Sequence, residues 1–214
     1  MPRGSHRAGQ RSRWPVVGGA IVALGVAGVA AWYLFTEGPL AETADFSFEL
    51  GKVGGSSVAE RAPEADLRDA AEQIRETLDA MYVAGFVDPV KWKGGTFPEV
   101  YDAFTDEIEA KVRADLANLS VGEDATRIES VDPVSGRLSV RFLVNAEQEL
   151  IGATAHATFA ANALATSDGG PVAIQHEGTY YMEPVDDTWL INAYEVEGIV
   201  TRVTEPLADP DAAA

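Results

Sequence analysis

The 214-residue sequence contains no cysteine. This absence excludes disulfides, thiolate metal sites, cysteine nucleophiles and lipid anchors attached through cysteine. Positive charge is also scarce, because 16 Lys and Arg stand against 34 Asp and Glu, and neither Lys nor Arg occurs between Arg141 and Arg202. A chain this acidic repels nucleic acid and anionic lipid, so we expect no nucleic-acid partner.

A long uncharged segment lies near the start of the chain. Four arginines between residues 3 and 13 are the only charged residues before Glu37, and the 23 residues from Trp14 to Thr36 carry no charge. As a helix rising about 1.5 Å per residue, this segment is long enough for the ~30 Å hydrocarbon core of a bilayer. Because the arginines precede it, we expect a basic cytoplasmic tail over 1–13, a transmembrane helix over 14–36 and an extracytoplasmic remainder. The predicted location is the cell membrane, with a single pass.

A cleaved signal peptide is the alternative for this segment, since Val29-Ala30-Ala31 resembles a small-residue cleavage site. The apolar region of a signal peptide is normally only about 7–15 residues long, so the length favours a retained anchor. Small residues also recur every four positions in the segment, which lets two such helices pack closely. A homo-oligomer is therefore an open alternative. The residues at this spacing are Gly19, Ala23, Ala27 and Ala31.

Residues 37–63 are predicted to be a flexible linker, because they are rich in Gly, Ser and Pro and show little periodicity. Phe46, Phe48 and Leu50 alternate as in a short docking strand, but the composition alone does not establish one. The stretch GKVGGSS (Gly51 to Ser57) is not a phosphate loop, because its Lys and Gly stand in the wrong order.

Helical periodicity follows the linker. Residues 64–86 are predicted to form an amphipathic helix, and Asp88 to Gly95 break the chain. A second helical region is expected over about 96–119, starting at a capping box of Thr96 and Glu99 and broken near Thr105. The inward stripe of the first helix consists of Leu67, Ala71, Ile74, Leu78, Met81 and Gly85, and that of the second region consists of Ile108, Val112, Leu116 and Leu119.

After Gly122 the periodicity changes to two, which is typical of strands. Strands are predicted at 126–131, 137–145, 152–166, 171–184 and 188–198, with a turn at DPVSG (Asp132 to Gly136) between the first two. Helices followed by strands indicate an α+β domain in which the N-terminal helices pack on a curved antiparallel sheet. This domain is expected over 64–203, and 204–214 is expected to be a disordered acidic tail.

The dipeptide Asp168-Gly169 predicts a two-residue hairpin loop in which Ser167 faces Gly170. In that register Ala161 faces His176, and Phe159 faces Gly178. Small residues then oppose large ones on one face, and polar residues occupy the other. The pattern therefore predicts that His176 points into the core and that His156 points to solvent.

His176 and Tyr180 are the inward polar residues of this hairpin and the candidate ligand-binding residues. They lie roughly 13 Å apart along one strand, which is too far for direct pairing. The structural alternative is a buried histidine that is hydrogen-bonded within the core. On the outer face, His156, Tyr181 and Glu183 make a poor metal site, because one imidazole and one carboxylate are too few ligands. We predict no catalytic residue, no metal site and no cofactor, and core packing for Trp92.

The order of elements resembles the cone-shaped nuclear-transport-factor-2-like (cystatin-like α+β) fold. The ending DDTWLINAYEV (Asp186 to Val196) is similar to the final strand of such domains, in which Trp189 and Ile191 would enter the core. Leu190 and Tyr194 depart from that alternation, and a bulge near Ala193 would restore it. With the N-terminal span, the chain resembles exported, membrane-anchored proteins of high-GC Gram-positive bacteria, among them the mammalian-cell-entry (Mce) associated membrane proteins.

The resemblance implies an accessory or scaffolding protein without catalysis. The first hypothesis is therefore a single-pass protein whose extracytoplasmic domain binds a protein partner in a membrane or envelope complex. The alternative is a small-ligand-binding domain that uses an inner cavity near His176 and Tyr180. An enzyme on the same cone fold is the third hypothesis.

Overall fold

The computed structural model describes residues 46–55, 62–92, 94–166 and 171–202. The expected membrane span (14–36), the basic tail (1–13) and the acidic tail (204–214) lie outside these residues. Within the described ranges, no helix has both the length and the apolar character needed to cross a bilayer. The strands are β1 (Glu49–Gly55), β2 (Ile128–Val144), β3 (Leu150–Ala165), β4 (Pro171–Val185) and β5 (Thr188–Arg202), and the α-helices are α1 (Glu64–Tyr82) and α2 (Glu109–Ala114).

The α+β class is confirmed, but the sheet is mixed rather than antiparallel. Its strand order is β1-β2-β3-β4-β5. Strands β2 to β5 form an antiparallel meander, whereas β1 pairs with β2 in parallel. The parallel strand is a correction, because Glu49–Gly55 falls inside the predicted linker. Its glycine-rich sequence becomes ordered by pairing with β2 and by burial of the preceding Phe48.

The turn expected at DPVSG is wrong, since β2 runs without interruption from Ile128 to Val144. The register between β2 and β3 shifts between Pro133 and Ser135, as in a β-bulge. A bulge tolerates proline within a sheet because the ladder hydrogen bond is already interrupted there. The turn-forming residues therefore kink one long strand instead of separating two short ones.

The predicted hairpin register between β3 and β4 is wrong by two residues. Phe159, not Ala161, pairs with His176, and Ala157 pairs with Gly178. A shift of two residues preserves the alternation of side chains, so the predicted faces are correct. Asp168-Gly169 lies outside the described residues, and the last pair before it is Leu164 with Pro171.

Helix α1 confirms the amphipathic pattern. The α-helix ends at Tyr82, and the chain continues through a π-helical turn at Val83–Val87. Gly85 in this turn lies against Leu119, where a Cβ atom would come within 2.6 Å of the Leu119 carbonyl oxygen. The buried side chains of α1 are Ala70, Ala71, Ile74, Leu78, Met81 and Tyr82.

The second helical region consists of short turns around α2. A 3₁₀ helix at Pro98–Ala103 starts after Phe97 without a side-chain cap, so the capping box at Thr96 is wrong. A break follows at Phe104 and Thr105, close to the expected position. Further 3₁₀ turns at Asp106–Ile108, Leu116–Asn118 and Gly122–Thr126 complete the region, and its stripe lies against the core as predicted.

The last strand contains the expected irregularity. Tyr181 pairs with Ala193 and Met182 with Ile191, so Asn192 is the extra residue of a bulge. Trp189 and Ile191 are buried on one side of the bulge and Tyr194 is buried on the other. The bulge therefore turns both halves of β5 toward the same core.

Candidate functional site

Four residues form a row across the inner face of the sheet. Gly136 pairs with Phe159, Phe159 with His176, and His176 with Gly198. The two glycines leave room beside the rings, because a Cβ atom at Gly136 would come within 2.6 Å of the Phe46 ring and one at Gly198 within 3.1 Å of His176 Cδ2. The row places His176 on an interior strand of the sheet, flanked by an aromatic ring and a glycine.

His176 is only 3% exposed, and both of its ring nitrogens are hydrogen-bonded. Nε2 lies 2.9 Å from the carbonyl oxygen of Asn118. Nδ1 lies 2.7 Å from the hydroxyl of Tyr82. Since a carbonyl oxygen only accepts, Nε2 carries the hydrogen, and in the neutral ring Nδ1 accepts a hydrogen bond from Tyr82.

Tyr180 joins this network through Tyr82, whose hydroxyl lies 3.1 Å from the hydroxyl of Tyr180. The Tyr82 hydroxyl donates its hydrogen to His176, so it accepts the one from Tyr180. The predicted separation of His176 and Tyr180 is therefore bridged by a residue of α1. The Tyr180 ring folds back over Gly178, where a Cβ atom would come within 2.7 Å of it.

Aromatic rings enclose the network. The Tyr82 ring makes edge or tilted contacts with Phe46, Phe48, Phe86 and Phe159, at centroid distances of 4.7 to 6.5 Å. The His176 ring also lies against Phe86, with a centroid distance of 4.7 Å. The surroundings of the three polar groups are therefore apolar, and water is displaced by rings.

This burial determines the charge of the site. Desolvation lowers the pKa of His176 to about 4, and the hydrogen bond that Nε2 donates to the Asn118 carbonyl only partly opposes that shift. Desolvation also raises the pKa of Tyr82 and that of Tyr180 well above the usual range of a phenol. All three groups are neutral at pH 7. An imidazole whose two nitrogens are both engaged has no lone pair left for a substrate or a metal.

A cleft of about 280 Å³ reaches His176 from the polar side of the sheet. Its other lining residues include Ser135, Thr158, Gln175 and Glu177, whereas Tyr180 does not line it. The two candidate ligand-binding residues are thus brought into one network, but they do not line this cleft together.

The outer-face residues are not brought together in the same way. His156 lies 3.5 Å from the Thr179 hydroxyl and 3.7 Å from a Glu177 carboxylate oxygen. Glu183 accepts a hydrogen bond from Asn192 instead. Over the described part of the chain, no three His, Cys, Asp or Glu residues are grouped as metal ligands.

Two members of this hydrogen-bond network, Tyr82 and Asn118, were not predicted from the sequence. Tyr82 lies four positions after Leu78 on the buried side of α1, so helical spacing could have identified it. Asn118 contributes a backbone carbonyl, which leaves no signal in the sequence.

No protein-family model matches this chain, and a search of curated proteins finds no match.

Proposed function

We propose that the chain is a membrane-anchored accessory protein, without catalysis of its own, whose extracytoplasmic α+β domain binds a protein partner in a membrane or envelope complex. The anchor rests on the uncharged segment 14–36 and the arginines before it. One long helix packed against a curved sheet is also the arrangement that the nuclear-transport-factor-2-like resemblance implies.

One observation supports the non-catalytic part of the proposal most strongly. The polar groups of the inner face satisfy one another, because Tyr180, Tyr82, His176 and Asn118 form a continuous chain of hydrogen bonds. Catalytic acids and bases need access to a substrate and a pKa near the working pH. A ligand cavity beneath the sheet receives less support for the same reason, since α1 and the aromatic rings occupy that space.

The tip of the hairpin between β2 and β3 is a candidate contact for a protein partner. Leu143 is 52% exposed and Ile151 is 54% exposed, on either side of the turn. Hydrogen bonds hold the turn in place, since Asn145 N donates to Glu149 O and the Asn145 side-chain oxygen accepts from Glu149 N. A rigid tip with exposed apolar side chains suits a protein interface, because little ordering is needed on binding.

Affinity capture of the full chain from detergent-solubilised membranes tests this proposal. We expect a co-purifying membrane or envelope protein with the wild type and its loss with Leu143→Glu or Ile151→Glu. Val90→Glu is the matched control, because Val90 is also 52% exposed but lies in the loop after α1. Identical co-purifying proteins for all of these variants would contradict a contact at this tip.

The anchor has its own test. The intact mass of the membrane-extracted protein should include the arginines from Arg3 to Arg13. Recovery of a soluble form that begins near Trp32 would overturn the anchored arrangement and favour a cleaved signal peptide.

A further inference from the structure

Cations are few in this acidic chain, and nearly all those described have partners. The structure describes nine Lys and Arg side chains. Five pair with carboxylates, Lys111 bonds the Tyr194 carbonyl and lies over its ring, and Arg137 also interacts with another group. The five are Arg68, Arg75, Lys91, Arg113 and Arg127.

Lys52 and Arg141 are the exceptions, because neither side chain has an ion pair or hydrogen bond within the described residues. Both line the same cleft of about 660 Å³ on the outer face of the sheet. With acids outnumbering bases by two to one, carboxylate partners are plentiful elsewhere on the chain. The position of Lys52 and Arg141 in one cleft is therefore not explained by pairing with carboxylates of the chain.

The strand register explains why the other donors of the cleft converge on these cations. Arg141 pairs with Gly54 on β1 and with Thr154 on β3. In the next row, Ser139 pairs with His156, and His156 with Thr179. Neighbouring strands are about 4.8 Å apart, so these side chains cover a patch of small-molecule width.

The cleft offers an ammonium, a guanidinium, an imidazole and three hydroxyls, and its lining includes no Asp or Glu. Hydroxyl, ammonium and guanidinium groups are the usual side-chain donors to phosphate oxygens, and charge-assisted bonds of this kind are the strong ones. Two acidic residues lie beside the lining, both on the side of the sheet away from Lys52: Glu177 on β4 lies 3.7 Å from His156, and Glu195 on β5 pairs with Thr179. The lining thus provides donors for several oxygens of one anionic group.

We propose that this outer cleft binds a phosphate group through Lys52 and Arg141, with hydroxyl donors from Ser139 and Thr154. The phosphate belongs either to a small phosphorylated molecule or to a lipid headgroup. The net negative charge of the domain opposes binding only weakly, because acidic side chains farther than the Debye length, about 8 Å at physiological ionic strength, are screened from the bound phosphate. Contacts within the cleft are shorter than that, so the local cations dominate.

Glycine on β1 keeps the cleft accessible. A Cβ atom at Gly54 would meet no heavy atom within 4 Å, so the space beside Arg141 is open there. Gly54→Glu therefore adds a carboxylate at the wall of the cleft without a clash at Cβ. This variant blocks the proposed site by charge while leaving the hydrogen bonds of the strand in place.

Isothermal titration of the full chain in non-ionic detergent, at fixed salt, tests the proposal. The probes are glycerol 3-phosphate as the small phosphomonoester and glycerophosphoglycerol as the deacylated lipid headgroup. We expect one of them to bind, and we expect Lys52→Gln, Arg141→Gln and Gly54→Glu each to weaken it by about tenfold or more, as for loss of a charge-assisted hydrogen bond. Preference for the first probe identifies a small phosphorylated ligand, and preference for the second identifies a headgroup.

Arg113→Gln is the matched control, because Arg113 is an exposed cation paired with Glu109 on α2. It should leave the affinity unchanged. Absence of binding for both probes, or equal weakening by Arg113→Gln and Arg141→Gln, would overturn the proposal. Unchanged thermal unfolding of the variants separates loss of the site from loss of the fold.

Discussion

The hydroxyl of Tyr82 donates to Nδ1 of His176 across 2.7 Å, while it accepts from the hydroxyl of Tyr180. The two phenols therefore have unequal roles. Tyr82→Phe leaves a buried nitrogen without a donor and a buried hydroxyl without an acceptor, and should lower the free energy of unfolding by about 2–4 kcal/mol. Tyr180→Phe removes only the terminal donor and should cost about 0.5–1.5 kcal/mol. Urea unfolding measures both, and equal losses would contradict the assigned direction of the bonds.

His176→Leu should retain the fold, because it places no new charge or polar group in the core, although the Tyr82 hydroxyl and the Asn118 carbonyl each lose a partner. In combination with Tyr82→Phe, the loss of stability should be smaller than the sum of the single losses by about 0.5–3 kcal/mol, as for residues in direct contact. Additive losses in this double-mutant cycle would show that the hydrogen bond contributes little. A small molecule that co-purifies with the wild type and is lost in the Leu variant, with melting unchanged, would instead favour the ligand-binding alternative.

The buried imidazole makes stability depend on pH. The pKa of His176 is lowered to about 4 in the folded chain, whereas an unperturbed histidine titrates near pH 6.5. The unfolded state therefore takes up a proton first, and stability is lost as the pH falls from about 6.5 toward 4. Across this window the wild type should lose about 3 kcal/mol more than His176→Leu. Parallel curves of unfolding free energy against pH for the two proteins would contradict this expectation.

Gly178 should tolerate no side chain, because a Cβ atom would come within 2.7 Å of the Tyr180 ring. That ring is fully buried and hydrogen-bonded to Tyr82, so Gly178→Ala should destabilise the domain by about 1–3 kcal/mol. Gly54→Ala is the control, since nothing lies within 4 Å of its Cβ position. A melting temperature for Gly178→Ala as high as that of the control would mean that the ring relocates freely.

Asp79 ties the segment before β1 to α1. Its carboxylate accepts from Phe48 N at 2.8 Å, from the Ser47 hydroxyl at 2.8 Å and from Arg75. Asp79→Ala should cost about 1–3 kcal/mol, because Phe48 N loses its partner. Asp69→Ala, at an exposed position of the same helix, should be nearly neutral. Equal midpoints of chemical unfolding for the two variants would contradict this role of Asp79.

The sequence was most informative where periodicity decides the outcome. Alternation along β3 and β4 placed His176 inside and His156 outside, and helical spacing identified the buried face of α1. The pairing register of β3 with β4 was harder to predict, because a shift of two residues leaves the alternation of side chains unchanged. Turn residues were then the only local signal, and Asp168-Gly169 indicated the wrong partner for His176.

Features formed by distant segments were the least predictable. The Asn118 carbonyl and the Tyr82 hydroxyl meet His176 only because helical turns and sheet pack together. The alternation of Phe46, Phe48 and Leu50 indicated a strand near β1, but the glycines of β1 favoured a linker. Long-range pairing overrides such local preferences, and composition does not contain it.

Parallel pairing also has a consequence for the order of assembly. Glu49 pairs with Arg137, 88 positions later in the sequence, whereas the meander joins consecutive strands. Contacts between distant segments close large loops and tend to form after local ones. During synthesis, β1 emerges before the four other described strands and cannot form its pairing with β2 until β2 has been translated. The first strand made is therefore among the last to be completed, and its amides should be the earliest in the sheet to exchange with solvent deuterium.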